Sequence, residues 1–113
     1  TDAAVPQLAS AEVFDIPARA TREASARYFQ FDPQDIAIEV GVPTEIRAQN
    51  GDVALHTFSY AKNGTQFDHE LRAGSASSFV VLFEQPGVVR YWCALHSSSD
   101  HASGMIGTIR VVG

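Results

Sequence analysis

Between positions 91 and 105 the chain reads YWCALHSSSDHASGM, a stretch holding its only cysteine, its only tryptophan, its only methionine and two of its four histidines. A thiolate, imidazole nitrogens and a thioether are the soft and borderline donors that late transition metals select. Cys93 and His96 stand three residues apart, so one tight loop can aim both side chains at a common point. Met105 lies just before the final β-rich run, GTIRVV, where a returning loop can bring its sulfur to the same place. A further strong ligand must come from elsewhere. His56 is the best candidate, because it begins an alternating run directly after the turn-rich QNGDVAL.

Two imidazoles, one thiolate and one weak axial thioether are the donors of a trigonal type 1 copper site of the kind used for electron transfer. Each donor has a task. The thiolate mixes covalently with copper, the imidazoles serve Cu(I) and Cu(II) alike, and the axial sulfur favours Cu(I). A rigid scaffold that keeps this geometry nearly fixed in both oxidation states leaves little rearrangement to slow the electron.

The elements that must position these residues are short strands. The runs 27–31 (RYFQF), 36–40 (IAIEV) and 45–49 (EIRAQ) alternate or are rich in β formers, and DPQD and GVPT punctuate them with turn residues. LHTFSYA (55–61) alternates between NGD and KNG; SFVVLF (78–83) and VVRYW (88–92) flank EQPG; GTIRVV (107–112) follows Met105. Residues 11–26 fit a helical stripe or a short strand broken at Pro17, and we assign a strand near 12–16 with loop after it. Seven or eight short strands without a helix predict an all-β Greek-key β-sandwich of two antiparallel sheets. Residues 1–10 read as a flexible lead and 11–113 as one domain.

Composition narrows the function further. A net charge of −5 with eight scattered Lys and Arg speaks against nucleic acid and against an anionic lipid surface. No run approaches the roughly 18 apolar residues of a membrane span. One cysteine forms no internal disulfide, and a free thiol in an exported protein needs protection, which metal ligation provides. The Ala-rich, small-residue opening TDAAVPQLASAE resembles the spacer behind a removed signal peptide or lipid anchor, so export and a possible N-terminal tether are expected.

At this point the sequence resembles a known family, the cupredoxins of the plastocyanin, pseudoazurin and azurin group, over roughly residues 28–113. The resemblance rests on FQFDPQDIAIEVG, on QNGDVALHTF with Asn50, Asp52, His56 and Phe58, on LRAGS, on QPGVVRYWC, and on CALH followed by GMIGTIRVV. It implies one copper ion held by His56, Cys93, His96 and Met105. It also implies that Asn50 pins the ligand loops and that the Thr57 N–H donates to the Cys93 sulfur. One departure stands out: eight residues, SSSDHASG, separate His96 from Met105, more than the family usually has, and His101 lies among them. His101 therefore competes with His96 for the equatorial position; we favour His96 because CALH matches the short ligand turn, and take the Ser-rich insertion as an exposed bulge.

Plainer readings accompany the rest. His69, between acidic residues, is expected at the surface; of Tyr91 and Trp92 one should enter the core and the other face outward or lie under the site. NGT at 63–65 fits a glycosylation sequon, a match frequent by chance. Glu39, Glu45, Asp68, Glu70 and Glu84 read as solvated faces. The resulting expectation is a monomeric electron carrier rather than an enzyme, whose redox partner proteins dock transiently near His96, around Ala94, Leu95 and Gly104. A copper chaperone or store using the same soft ligands is the alternative.

Overall fold

Along DIAIE the apolar residues Ile36 and Ile38 face one way, and along TEIRAQN Ile46, Ala48 and Asn50 do the same, so each strand offers one face to a common interior. The computed structural model describes residues 17–113. Nine strands lie among them: β1 Ala20–Arg27, β2 Gln30–Asp32, β3 Asp35–Glu39, β4 Thr44–Asn50, β5 His56–Lys62, β6 Thr65–Leu71, β7 Ala76–Val81, β8 Gly87–Ser97 and β9 Gly104–Val112. One sheet has the order β2-β1-β4-β7 and the other β3-β9-β8-β5-β6. The two pack face to face as a sandwich.

Ile36, Ile38, Ile46, Phe58, Tyr60, Tyr91, Ile109 and Val111 fill the space between the sheets. Phe58 and Tyr91 stack with ring centres 4.2 Å apart, and Phe31 meets both rings edge-on. Tyr91 reaches further, donating its hydroxyl proton to the Pro33 carbonyl at 3.0 Å, and burial raises its pKa. Gly107 makes room for that ring, because a Cβ there would collide with the Tyr91 hydroxyl end and with the Gln34 carbonyl oxygen.

Several expectations need correction. The sheets are mixed, since β1 pairs with β4 and β3 with β9 in parallel, joined by crossovers that periodicity does not reveal. Residues 20–27 are a strand rather than loop; Ala24 and Ala26 alternate inward, but alanine carries too little hydrophobicity to announce it. The run 27–31 is no single strand, because Tyr28 and Phe29 form the two-residue tip of the β1–β2 hairpin. TQFDHEL forms β6, a strand that its acidic residues obscured. The strand expected near 12–16 and the lead 1–10 lie outside the described residues.

Candidate metal centre

His56 is the first residue of β5 and wholly buried; Cys93, equally buried, lies within β8, and His96 stands near the end of the same strand. Strands β5 and β8 are antiparallel neighbours, so their ends bring the three side chains to one pole of the sandwich. There the His56 Nδ1 and His96 Nδ1 atoms are 3.1 Å apart, and the Cys93 Sγ lies 3.8 Å from the first and 3.3 Å from the second. All three ligand atoms fall within 4.8 Å of one another. A point equidistant from them lies about 2 Å from each, the length of a metal–nitrogen bond.

The hydrogen bonds around His56 and Cys93 leave their donor atoms facing that common point. Asp52 Oδ2 is 2.8 Å from His56 Nε2, so the carboxylate holds the proton on Nε2 and leaves Nδ1 as a donor to a metal. The Thr57 N–H donates to the Cys93 sulfur at 3.4 Å, which fixes the sulfur's position. Thr57 Oγ1 in turn accepts the Ala94 N–H at 2.7 Å, and Ser97 Oγ donates to the Cys93 carbonyl, so both flanks of the cysteine are tied down. Two imidazole nitrogens and a sulfur facing inward are mutually repulsive lone pairs unless a cation or a proton lies between them. The donor set fits a soft, three-coordinate ion.

The surroundings shift the titration of His96 and Asp52. His96 has its pKa lowered, first by partial burial and then by its closeness to His56, with Asp52 opposing. Asp52 is held down to about 2, chiefly by the Phe29 N–H and then by His56, against some desolvation, with the Tyr28 N–H adding to the effect.

Asn50 organises the loop that carries Asp52. Its Nδ2 donates to the carbonyls of Ala54 and Leu71, at 2.8 and 2.7 Å, and its Oδ1 accepts the Asp52 N–H. Met105 is buried in the core cluster that also contains Cys93. It follows Gly104, which pairs with Ser97. Gly104 has φ of 91°, and a Cβ there would lie 2.6 Å from the His96 carbonyl oxygen, so glycine is what allows β9 to start this close to the ligand strand.

His101 is not part of the cluster. Its ring lies flat on Trp92, centres 3.9 Å apart and planes 9° from parallel, with Nδ1 3.4 Å from Ser97 Oγ. The insertion is a folded loop: Ser98 accepts from Ala102 and Ser103, His101 N–H bonds to Ser98 O, and Arg90 donates to the His101 carbonyl. Tyr91 and Trp92 divide as expected: Tyr91 enters the core cluster and Trp92 lies outside it, though His101 covers the indole and keeps it buried. The surface position expected of His69 is corrected; it is buried, stacked on Phe79 at 3.8 Å, because β6 turns it towards the other sheet.

Sequence reasoning overlooked two parts of the site. Asp52 was noted for its spacing but not as a partner of His56, although an acid four residues before a ligand histidine in a turn is a readable signal. Phe29 is the other: its ring meets His56 edge-on at 5.2 Å and His96 at 4.7 Å. No local pattern carries that contact, which joins a hairpin tip to residues of two other strands.

Comparison with known proteins agrees with this architecture. No family model and no curated protein matches the sequence. Among solved structures the chain is similar to auracyanin B, with a TM-score of 0.73 and 15% identity over 92% of this chain and 96% of that one. It is similar to auracyanin A, a blue copper protein of the green thermophilic photosynthetic bacterium Chloroflexus aurantiacus (TM-score 0.66, 15% identity, 80% and 97% covered). It is also similar to the metal-binding domain, with Cu(I), of the Cu(I)-exporting P-type ATPase CopA of Streptococcus pneumoniae (TM-score 0.64, 13% identity, 88% and 92% covered). The resemblance seen in the sequence holds at the level of the fold: the chain has the cupredoxin fold.

Proposed function

We propose that this chain is a mononuclear type 1 copper protein that carries single electrons between redox partners, with His56, Cys93 and His96 as strong ligands and Met105 as the weak axial one. One observation supports this above all: the Cys93 sulfur and the two histidine Nδ1 atoms converge within 4.8 Å, already aimed inward. A copper ion held there supplies one-electron exchange between Cu(II) and Cu(I). The protein supplies the rest. Asp52 orients His56, the Thr57 N–H steadies the sulfur, and buried neighbours exclude water from the His56 and Cys93 side.

His96 is only partly buried, and beside it Leu95 and Phe29 are exposed apolar residues. We read this rim as the contact for a redox protein. A small apolar interface suits an encounter that must end soon after the electron has crossed. The chain acts in this reading as an exported monomer and a carrier rather than an enzyme.

Copper handling is the second reading, favoured by the likeness to a Cu(I)-binding domain of an exporter. Addition of Cu(II) to purified metal-free protein separates the two. An intense thiolate-to-copper absorption band with narrow copper hyperfine splitting is expected of the carrier. A pale solution with an ordinary type 2 signal, or tight Cu(I) uptake without Cu(II) binding, overturns electron transfer in favour of handling.

A further inference from the structure

The β1–β2 hairpin tip is an unusual place for two aromatic residues. Tyr28 and Phe29 both have left-handed backbones, φ 56° and 58°, in the two-residue turn between Arg27 and Gln30. Such a turn calls for residues like Asn and Gly, and the β5–β6 hairpin of this same chain uses Asn63 and Gly64 at φ 53° and 79°. A bulky residue held left-handed persists only where its surroundings over-determine it, and such positions cluster at functional sites.

What holds the tip is Asp52. Its Oδ1 accepts the Tyr28 N–H at 2.8 Å, and its Oδ2 accepts the Phe29 N–H at 3.0 Å and binds His56 Nε2 at 2.8 Å. One carboxylate thus joins the strained turn to a ligand histidine. The Phe29 ring is then placed edge-on against both His56 and His96, its planes at 86° and 89° to theirs. An Asn-Gly tip would make the same turn without strain but leave both imidazoles uncovered.

We propose that Asp52 is a positioning residue that locks the His56 ring and seats Phe29 as an aromatic shutter over the two ligand histidines. This rests on reading the site as a copper centre. By accepting the hydrogen bond from Nε2–H the carboxylate makes His56 a stronger donor, which favours Cu(II) and lowers the potential. The shutter keeps small external ligands from the metal's outer side.

The test begins with metal-free protein, whose nitrogen-15 spectra report the His56 tautomer. The parent should hold the proton on Nε2 in slow exchange with solvent, and Asp52→Asn should lose that protection. In the copper-loaded protein Asp52→Asn should raise the potential by about 59 mV, a tenfold change in the Cu(I) to Cu(II) preference for one electron, while Asp52→Glu, which keeps the charge, stays near the parent. Tyr28→Asn combined with Phe29→Gly keeps the turn and should fold; its copper spectrum should respond to added azide where the parent's does not. Unchanged His56 spectra and an unchanged potential in Asp52→Asn would overturn the positioning role, and azide resistance in the double variant would overturn the shutter. If the parent binds no copper the copper reading fails, and the metal-free spectra still decide whether Asp52 holds His56.

Discussion

His69 sits between Phe79 and Tyr60 with its Nε2 buried and without a hydrogen-bond partner. Burial pulls its pKa down to about 4, with Asp68 opposing. The native protein therefore resists a proton that the unfolded chain takes up once the pH falls below about 6.5. Stability should fall from there until about pH 4, by about 3 kcal/mol at most, and stay level in this respect below it. His69→Phe should flatten that slope, read from urea midpoints at pH 7 and 4.5. The Asp52 carboxylate acts in a lower window: its pKa is depressed, so its contribution is present above about 3.8 and is lost as the pH falls through about 2. At the ligands, Cys93→Ser should abolish the thiolate-to-copper band, and His96→Ala should bleach the protein. His101→Ala should leave the band nearly intact, since that ring rests on Trp92; a bleached His101→Ala with a blue His96→Ala would reverse the assignment.

Among the elements, β8 and β9 carry most of the site, and their packing depends on two glycines. Gly107→Ala forces a methyl into the Tyr91 ring and the Gln34 carbonyl, and overpacking of this kind costs about 1–3 kcal/mol. The denaturation midpoint should drop with little change in slope. The loop between β4 and β5 depends instead on Asn50, whose amide satisfies two carbonyls and whose oxygen caps the Asp52 N–H. Asn50→Ala leaves these groups without partners, and buried unsatisfied groups cost about 1–3 kcal/mol each. A loss of stability accompanied by weaker copper binding is expected, because the same loop carries Asp52; unaltered copper affinity in a clearly destabilised variant would separate the loop from the site.

For the whole molecule, a site built from sheet ends should exist before the metal arrives. Circular dichroism of the metal-free protein should match that of the copper form, while copper at about 100 times its Kd should add about 2.7 kcal/mol of stability, visible as a higher Tm. An unfolded metal-free chain would mean that binding drives folding instead. The convergence of Cys93 with His96 and the β-sandwich were legible in the chain because they are local: the two residues share the end of one strand, β8, and period-2 alternation marks β3, β4, β5 and β9. Asn50 and the Thr57 N–H were likewise expected through the motif around His56, and their bonds are present. Other features have no local signature. The parallel pairings of β1 with β4 and β3 with β9 and the burial of His69 against Phe79 join strands far apart in the chain, and the stacking of His101 on Trp92 depends on how the loop after β8 folds back onto that strand. By itself the sequence determined which atoms can bind a metal and that strands carry them. Only the tertiary structure decided which histidine faces the sulfur and which covers the indole, because β5 pairs beside β8 and sets His56 against His96, while the loop after β8 folds His101 back onto Trp92.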